Sequence, residues 1–465
     1  MLRIGGQRVP PKTLLMIGSD IFLIVAGLLA ATVIRFYNNG MVRPTLHASE
    51  TIWRFVIVVV VCEISLYYND LYSTEVLNRR NQVVIRLLQA LGASCVSLAL
   101  LYYLAPNLSL GRGIAALAAP MILGATLGWR ILLEETGLFF RGPERVLILG
   151  TGPAGIELVR EVLTRPELHM KVVGFLDEHG ENIGKSLVNP GIIGAVSEVE
   201  KIVDREKIDR VVLSLKERRG MTPAPQLLQL KFSGIRVEDA HSCYEGVTGR
   251  ILLERLTPSW LILSDGFRKS ASLLALKRFL DLFVSSVLLV LALPVMAGTA
   301  IAVWLESGSP ILFRQTRVGL AGKPFDVLKF RSMVQNAEKD GPKWAVAGDA
   351  RITKVGKFIR NCRLDELPQL INVLRGEMSL VGPRPERPHF CEMLEKQIPY
   401  FGQRHAVRPG VTGWAQIKYP YGSTVEDAKA KLELDLFYIK NLSITLDSAI
   451  IFETAKVMLL RRGAK

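Results

Sequence analysis

Paired cysteines and zinc-type spacings are missing from this sequence. Its five cysteines stand singly along 465 residues, with no Cys-x-x-Cys pair and no Cys/His spacing of the kind that binds zinc. An odd number of isolated cysteines argues against a disulfide framework, and the spacing argues against a structural zinc site. The chain therefore fits a reducing compartment, and small disulfide-stapled or zinc-dependent folds are excluded.

Acidic residues are also in short supply. The chain carries 58 Lys and Arg against 43 Asp and Glu, a formal net charge of +15. A basic surplus alone suits nucleic acid, anionic lipid headgroups or phosphate-bearing substrates. Because long apolar segments are also present, headgroups and phosphate substrates are the expected partners, and nucleic acid is not.

The apolar residues are concentrated in long runs. The mean hydropathy is +0.27 although 22% of the residues are charged, which is unusual for a soluble protein. The first four runs cover residues 14–34, 53–68, 83–105 and 114–127. Each is near the length that a hydrocarbon core of roughly 30 Å requires. We predict four transmembrane helices within residues 1–140.

The flanks of these runs indicate how they lie in the membrane. The first run follows basic residues, as a signal peptide would, but it is too long and lacks an obvious small-residue cleavage site, so we interpret it as a retained anchor. Basic residues also cluster between runs two and three and after run four, which predicts cytoplasmic ends for the unit. Asp20 lies inside the first run. It is either a functional group or a side chain facing the interface or a neighbouring helix.

Strand and helix patterns alternate over residues 141–265. The strand-like segments RVLILG, KVVGFLDE and DRVVLSL are separated by helical patterns. This order is typical of a parallel sheet covered by helices, so a Rossmann-like α/β domain is predicted. Gly150, Gly152 and Gly155 have GxGxxG spacing, and Asp177 ends the next strand about twenty residues later, as in dinucleotide-binding folds.

These glycines support two interpretations. A nucleotide could bind over the turn, or the glycines could serve only a tight turn and close packing of the following helix. Redox catalysis is disfavoured because residues 150–260 contain no Tyr-x-x-x-Lys pair, the usual acid/base equipment of nucleotide-sugar epimerases and short-chain dehydrogenases. We therefore favour a structural or regulatory module.

A fifth apolar run, residues 279–304, contains Pro294 near its middle. Proline removes a backbone hydrogen bond and clashes with the preceding turn, which predicts a break or sharp kink. Basic residues on both sides leave the orientation open. The run is either a re-entrant helix that bends at Pro294 and returns to the cytoplasmic leaflet, or a fifth span. The chemistry of the region that follows favours the re-entrant form.

Two adjacent carboxylates stand among arginines and prolines in residues 357–387, KFIRNCRLDELPQLINVLRGEMSLVGPRPER. A first-turn proline and a glycine stop predict a helix over residues 366–375, with Asp365 at its N-cap. There the carboxylate would accept backbone N–H groups and feel the positive end of the helix, which favours ionisation and attack on phosphorus. Glu366 is a candidate metal or proton partner.

Four arginines accompany the two carboxylates, namely Arg360, Arg363, Arg384 and Arg387. They offer bidentate donors suited to a diphosphate, and the prolines of GPRPERP restrict the turn that carries two of them. A single arginine is more typical of a solvated surface, and a single Asp before a helix is more typical of a plain cap. The combination favours phosphate chemistry.

A series of specific sequence runs follows residue 277. They are KRFLDL, PILFRQTRVGLAGKPFDVLKFRSM, DARITKVGKFIRNCRLDELPQLINVLRGEMSLVGPRPE, RHAVRPGVTGWAQI and KLELDLFYIKN. Together they resemble the bacterial sugar transferase domain of the polyprenyl-phosphate glycosyl-1-phosphate transferases. The remainder of the chain is similar, less specifically, to the long members that prime exopolysaccharide synthesis.

The resemblance implies a membrane protein of mixed architecture. A four-helix transmembrane bundle and a Rossmann-like middle domain would precede an α-rich transferase domain over residues 270–465, which contains the re-entrant helix. The expected location is the bacterial inner membrane, with the catalytic domain facing the cytoplasm. Well-described members break the re-entrant helix at a Ser-Pro pair, whereas here Leu293 precedes Pro294.

The resemblance also implies a two-step transfer. Asp365 would attack the sugar-bearing phosphate of a UDP-sugar, release UMP and hand the phosphosugar to undecaprenyl phosphate. By position, Asp365 and Glu366 are the catalytic dyad, Asp365 is the Mg²⁺ contact, and Arg360 and Arg384 are phosphate ligands. Weaker candidates for substrate binding, or for structural ion pairs, are Lys329, Arg331, Asp349, Arg351 and Arg387.

The expected partners are a UDP-sugar, undecaprenyl phosphate and inner-membrane lipid, with polysaccharide assembly proteins and a homo-oligomer left open. Two other functions also stay open. A membrane-anchored nucleotide-sugar oxidoreductase is opposed by the missing Tyr-x-x-x-Lys pair, and a non-catalytic assembly scaffold is opposed by the retained carboxylates and arginines. The transferred sugar, whether glucose, galactose or an N-acetylated sugar, is not determined by these motifs.

Overall fold

The computed structural model of this chain has a helical, a sheet-containing and a mixed part in that order. It describes residues 3–4, 7–8, 11–37, 49–72, 80–136, 142–215, 223–253, 261–262, 264–335, 349, 351–420, 422 and 424–460. Within these residues, five helices are long and apolar enough to cross a membrane. The protein is therefore a membrane protein.

Four long apolar helices form the N-terminal part. They are α1 (Pro11–Phe36), α2 (Ser49–Tyr68), α3 (Arg80–Leu104) and α4 (Arg112–Thr136). α1 packs closely against α4, and α2 packs against α3. Their shared core includes Ile24, Leu28, Leu66 and Leu87. The four predicted spans thus correspond to four helices of membrane-spanning length.

Asp20 is buried where α1 meets α4. Both of its carboxylate oxygens accept hydrogen bonds from Arg130, at 2.9 and 2.8 Å, and the hydroxyl of Tyr72 lies 2.9 Å from one of them. A charge among apolar helices is costly unless it is paired and hydrogen-bonded. Of the two interpretations, contact with a neighbouring helix is the one observed.

A five-stranded parallel sheet forms the middle part. Its strands are β1 (Glu144–Leu149), β2 (Met170–Asp177), β3 (Ile192–Ala195), β4 (Arg210–Leu213) and β5 (Arg236–Asp239), in the order β3-β2-β1-β4-β5. Its helices are α5 (Pro153–Thr164), α6 (Val199–Glu206), α7 (Ala224–Phe232) and α8 (Ala240–Thr248). The central strands are apolar on both faces because helices cover both. The predicted α/β region is confirmed.

The fifth apolar run forms a single helix, α9 (Ala271–Ser307), that continues through Pro294. The helix has no break at Pro294, because the chain stays helical on both sides of this residue. The other predicted form, a sharp kink, stays a prediction. A helix in apolar surroundings can absorb the loss of one backbone hydrogen bond through local adjustment without ending.

The described residues of the C-terminal part form two small sheets and six α-helices that follow α9. Strand β6 (Leu312–Val318) pairs antiparallel with β7 (Pro324–Phe330), and β8 (Ser379–Val381) pairs parallel with β9 (Gly410–Thr412). The helices are α10 (Lys354–Asn361), α11 (Gln369–Arg375), α12 (Pro388–Gln397), α13 (Trp414–Lys418), α14 (Val425–Asn441) and α15 (Ile444–Leu460). Helix α14 is buried on all sides over residues 432–439, so it lies at the centre of the core.

Both ends of α9 are attached to this same C-terminal part. Near the start of α9, Arg278 donates hydrogen bonds of 2.7 and 3.1 Å to last-turn carbonyls of α11. At the other end, Arg331 donates a 2.7 Å hydrogen bond to the carbonyl of Ser307. The middle of α9 exposes apolar side chains, among them Val290, Leu291 and Leu293. The helix is thus held at both ends by one unit and exposes an apolar middle.

The sheet part and the C-terminal part share one stretch of chain. Leu252 packs into the core of the sheet part, whereas its neighbours Ile251 and Leu253 pack into the C-terminal core. The buried indole N–H of Trp414 donates a 2.9 Å hydrogen bond to the carbonyl of Gly249. Successive side chains of residues 251–253 therefore enter different cores, and this segment joins the two parts.

The last helix rests on the membrane helices. The hydroxyl of Tyr67, at the end of α2, donates to Glu453 of α15 at 2.8 Å, and Lys456 forms an ion pair with Asp70. The ring of Phe452 lies 5.0 Å from the ring of Tyr67. These contacts place the C-terminal part at the end of the helices where α2 leads toward α3.

Candidate active site

Asp365 lies in a short 3₁₀ turn, Leu364–Glu366, between two helices. Helix α10 ends at Asn361, and Arg363 then adopts a left-handed conformation with φ of 58°, which reverses the chain. Helix α11 starts only at Gln369. The predicted helix is present and ends at Arg375 before Gly376, as expected, but it starts three residues later than predicted. Asp365 as its N-cap is therefore wrong, and the carboxylate sits in a buried turn instead.

Glu366 is held by three cationic side chains. Its carboxylate oxygens lie 3.0 Å from Arg384 Nη2, 3.4 Å from Lys329 Nζ and 3.7 Å from Arg363 Nη1. Burial alone would raise the pKa of Glu366, but these cations, Arg384 foremost, outweigh burial and hold that pKa well below its usual range. Glu366 is therefore ionised, and it fixes the positions of the three cations.

Asp365 contrasts with its neighbour. Within the described residues its side chain forms no ion pair and no hydrogen bond, and it is 8% exposed. Burial, followed by the negative charge of Glu366, raises the pKa of Asp365, and the opposing effects of Lys329, Arg360 and Arg384 do not cancel this. The expectation that a helix end favours its ionisation is wrong, because no helix starts at this residue. A buried carboxylate without an ion pair is poorly solvated, which suits a nucleophile.

The raised pKa of Asp365 predicts an acid limit on activity. Only the carboxylate form can attack, and a folded-state pKa above the ordinary value of about 3.9 means that this form is lost at a higher pH than usual. We expect the single-turnover rate of the reacting protein to fall with acid above the pH at which an ordinary Asp protonates. A rate-against-pH profile under non-denaturing conditions measures this, and a rate that stays flat down to the ordinary Asp range would contradict it.

The structure brings only some of the predicted ligands to the two carboxylates. Lys329 and Arg384 contact Glu366 directly. Arg360 is the last basic residue of α10, forms no ion pair with any described residue, and lowers the pKa of Asp365. It is thus a cation whose charge acts on Asp365 and on Asp349 without a direct ion pair among the described residues.

The weaker candidates have structural partners. Arg331 is buried against the end of α9, where it hydrogen-bonds Ser307. Arg351 donates to both carboxylate oxygens of Asp349 and lowers the pKa of that carboxyl to about 2. Arg387 precedes α12, and its guanidinium lies 5.9 Å from the ring of Phe390. Each of these contacts can be explained by the fold alone.

Two residues that support Arg384 were not singled out from the sequence. Gln416 accepts a 2.9 Å hydrogen bond from Arg384 Nη1. Arg404, which is buried and paired with Asp435 at 2.8 Å, donates a 3.0 Å hydrogen bond to the Arg384 carbonyl. Gln416 and Arg404 belong to the run RHAVRPGVTGWAQI, so their position within that motif was the available signal.

Comparison with known proteins assigns the chain to a family. The family model described as bacterial sugar transferase matches residues 272–461, from α9 through α15. A UDP-glucose:undecaprenyl-phosphate glucose-1-phosphate transferase of Klebsiella pneumoniae is 34% identical over 336 residues, which cover 70% of each chain. The chain belongs to the bacterial sugar transferase family.

Other relatives of this transferase align over different lengths. An undecaprenyl-phosphate glucose phosphotransferase of Komagataeibacter xylinus is 33% identical over 72% of this chain and 62% of its own. A UDP-N-acetylgalactosamine-undecaprenyl-phosphate N-acetylgalactosaminephosphotransferase of Aeromonas hydrophila is 42% identical over 48% of this chain and 52% of its own. The transferase thus spans about half the length of the Aeromonas protein. The names of these relatives differ in the sugar.

The donor groups of this transferase fit a shared magnesium site. The described residues contain no group of three or more His, Cys, Asp or Glu side chains that could hold a metal unaided. Glu366 is neutralised by cations, which leaves the carboxylate of Asp365 as the available oxygen ligand. Mg²⁺ is commonly held by one or two carboxylates together with substrate phosphates and water. Asp365 therefore fits a Mg²⁺ contact that a bound diphosphate would complete.

The backbone amides of the glycine-rich turn in the middle part donate hydrogen bonds within the protein. The amide of Gly152 donates to the carbonyl of Ser214 at 2.6 Å, and the amide of Gly155 donates to the Ser214 hydroxyl at 2.8 Å. Pro153 has no N–H, so few amides at the start of α5 remain for a phosphate. Asp177 accepts hydrogen bonds from Asn182 in its own turn. The geometry favours the structural interpretation of this turn. A family model described as CoA-binding domain matches residues 67–222, which include the turn.

A Gly155→Ala substitution is expected to destabilise the middle part. An added Cβ would lie 2.8 Å from Ser214 Cβ and 2.9 Å from Ile148 Cγ2, closer than real contacts allow. Overpacking of this kind costs about 1–3 kcal/mol. Thermal unfolding should show a lowered Tm, whereas Gly142→Ala, where an added Cβ meets nothing within 4 Å, should leave Tm unchanged. Equal behaviour of the two variants would contradict the packing role.

Proposed function

We propose that this transferase moves a sugar 1-phosphate from a UDP-sugar to undecaprenyl phosphate and releases UMP. The observation that carries the proposal is the contrast within the dyad: Glu366 is paired with three cations, while the adjacent Asp365 is buried and unpaired. The names of three relatives, each specific to undecaprenyl phosphate, support the choice of acceptor. The product starts a repeat unit of an exopolysaccharide or capsule.

The first step uses Asp365 as the nucleophile. One carboxylate oxygen bonds to the phosphorus that bears the sugar, the bridging P–O bond breaks, and UMP leaves with the electron pair. Arg384 and Lys329 lie beside the dyad, and Arg360 adds a third positive charge, so developing charge on the phosphoryl oxygens is offset by groups that need not move. Mg²⁺, when bound, would neutralise the diphosphate and stabilise the negative charge that develops on the leaving group.

The second step restores the carboxylate. A phosphate oxygen of undecaprenyl phosphate bonds to the same phosphorus, and the bond between phosphorus and the Asp365 oxygen breaks. The product is an undecaprenyl diphosphate sugar, and Asp365 is again ionised. Glu366 keeps Arg384 and Lys329 in place throughout, since its charge is needed for their positions.

The helix α9 acts as a re-entrant element in this proposal. Both of its ends contact the C-terminal part, through Arg278 at one end and Arg331 at the other, and its middle is apolar and exposed. A helix that crossed the bilayer straight would separate those ends by the hydrocarbon core. Dipping into one leaflet instead places the C-terminal part at the cytoplasmic face of the inner membrane, where a soluble nucleotide sugar meets a membrane lipid.

A substrate panel tests the proposal. The full-length protein in detergent or vesicles is incubated with Mg²⁺, undecaprenyl phosphate and, separately, UDP-glucose, UDP-galactose and UDP-N-acetylgalactosamine. The expected result is UMP release with one or more of them and, without the lipid, a protein heavier by one sugar phosphate. Sugar transfer that releases UDP instead of UMP, or the absence of any transfer across the panel, would refute the proposed reaction.

A further inference from the structure

The short strand β8 leads directly to Arg384. It ends at Val381, three residues before Arg384, whose guanidinium contacts Glu366 at 3.0 Å. The two residues between them, Gly382 and Pro383, each form a 2.9 Å backbone hydrogen bond with β9. A segment that is hydrogen-bonded in this way and contains a proline has little conformational freedom. The position of Val381 is therefore transmitted to Arg384.

Two charged side chains of α9 contact this strand. The ammonium of Lys277 donates a 3.1 Å hydrogen bond to the carbonyl of Val381. One turn further along α9, the carboxylate of Asp281 accepts a 3.1 Å hydrogen bond from the amide of Leu380. Residues four apart lie on the same face of a helix. One face of α9 thus binds two successive residues of β8, one through a donor and one through an acceptor.

Lys277 is the charged donor to the Val381 carbonyl. The hydroxyls of Ser379 and Tyr438 also lie 3.0 Å from this carbonyl oxygen. Tyr438 has a single hydroxyl hydrogen, however, and the carboxylate of Asp447 is the closer acceptor, at 2.8 Å. Hydrogen bonds from ionised donors are roughly twice as strong as neutral ones. The ammonium of Lys277 therefore contributes most to holding Val381.

Attachment of α9 to the C-terminal part does not require these buried charges. Lys277 is buried and forms a 2.6 Å ion pair with Asp447, and Asp281 is only 5% exposed. Burial of ionised side chains is costly, and well-packed apolar residues often stabilise a fold equally well. Apolar packing, however, has no direction, whereas a donor and an acceptor fix the strand along its length. The pattern suits a strand whose exact position matters.

We propose that Lys277 is a positioning residue for the transfer reaction, which fixes Val381 and thereby places the guanidinium of Arg384 on the diphosphate. Asp281 is the second attachment of the same strand. The proposal rests on the proposed function, in which Arg384 contacts the donor substrate. Lys277 acts through the backbone of β8 and not on the substrate itself. The helix with the apolar middle thereby sets the geometry of a site for a soluble nucleotide sugar.

The competing interpretation is that Lys277 serves only as the ion-pair partner of Asp447. Breaking this pair from either side distinguishes the two. Lys277→Met removes the donor to Val381 and leaves Asp447 without its partner, whereas Asp447→Asn leaves Lys277 without its partner but keeps the donor. The double variant, Lys277→Met with Asp447→Asn, removes both charges and still lacks the donor.

The full-length variants are assayed in vesicles with Mg²⁺, undecaprenyl phosphate and a UDP-sugar that the wild type accepts, well below their Tm. Both single variants should have a lowered Tm, since each leaves one buried charge unpaired. Lys277→Met should lower kcat/KM for the UDP-sugar by about tenfold to a hundredfold, as expected when a substrate ligand is displaced. Asp447→Asn should stay within about threefold of wild type, because Arg384 keeps its place. The double variant should regain Tm without regaining kcat/KM.

Two results would overturn the proposal. One is a double variant that regains kcat/KM together with Tm, and the other is an equal loss of kcat/KM in the two single variants. Either would show that Lys277 affects turnover only through stability. Failure of the wild type to transfer sugar phosphate at all would overturn the proposed function and this proposal with it, whereas either result with normal wild-type turnover overturns the positioning role alone.

The acceptor side of the contact has its own test. Asp281→Asn keeps a side-chain oxygen for the amide of Leu380, whereas Asp281→Leu keeps the branching at Cγ but offers no acceptor. We expect kcat/KM for the UDP-sugar to be at least about fivefold higher in Asp281→Asn than in Asp281→Leu, measured where both are folded. Equal values in the two variants would contradict the role of β8 as the strand that α9 positions.

Discussion

Asp365→Asn should reduce turnover by on the order of 10⁴-fold or more, because an amide cannot form the bond to phosphorus that the first step requires. Both UMP release and the protein adduct should disappear together. The carboxylate of Asp365 is buried and its pKa is raised, so its ionised form lowers the free energy of unfolding at neutral pH. The variant is therefore expected to show an unchanged or higher Tm. The measurement is UMP release and intact-protein mass, with thermal unfolding in parallel.

A surface carboxylate of the same part supplies the control for this substitution. Asp326 lies on β7, is exposed, and accepts a hydrogen bond from the hydroxyl of Thr316. Asp326→Asn removes the same charge by the same chemistry and should keep wild-type turnover. Undiminished turnover by Asp365→Asn would refute the nucleophile, and a large fall in its Tm would show that the carboxylate is paired in a way the geometry does not show.

Glu366→Gln should lower the Tm, in contrast to Asp365→Asn at the neighbouring position. Three cations lose their partner, and two of them, Lys329 and Arg384, are largely or partly buried. Removing one member of a buried ion pair typically costs about 3–5 kcal/mol, which lowers Tm by about 3–5 °C in a chain of this size. Turnover should also fall, since Arg384 and Lys329 are then free to move away from the phosphate.

A double variant tests whether the lower Tm comes from the cations that lose their partner. Glu366→Gln combined with Lys329→Met removes one of the unpaired charges along with the carboxylate, so part of the lost Tm should return without recovery of turnover. The freed cations should also lower the pKa of Asp365, because the charge of Glu366 contributes to raising it. An acid limit of activity that does not move in Glu366→Gln would contradict this coupling.

Patterns of composition and spacing predicted much of the architecture. The apolar runs predicted the helices of the N-terminal part, because a bilayer demands length and apolarity that few other structures need. The alternating segments after residue 141 predicted the parallel sheet, since strands covered on both faces must be apolar throughout. The family was also predictable, because the runs around Asp365 combine residue types that rarely occur together.

Local rules failed where neighbouring elements decided the conformation. A proline and a glycine predicted a helix that starts at Glu366, but the left-handed Arg363 and the packing of Leu364 produce a separate turn before it. Pro294 predicted a break or a sharp kink, and apolar surroundings let α9 continue through it without a break. In both cases a preference worth a few kcal/mol was overridden by contacts that are distant in sequence.

The amino-acid order alone determined which residues this protein has for phosphate chemistry and where its apolar helices lie, because motif spacing and hydrophobic length act locally. It assigned the nucleophile to Asp365 through the family resemblance and through an N-cap position that the structure does not have. Asp365 and Glu366 are adjacent and chemically alike, and only the folded chain brings Lys329, Arg363 and Arg384 to one of them while leaving the other buried and unpaired. Charge pairing and burial depend on such distant contacts, so the tertiary structure decided which carboxylate is neutralised by cations and which is left without an ion pair.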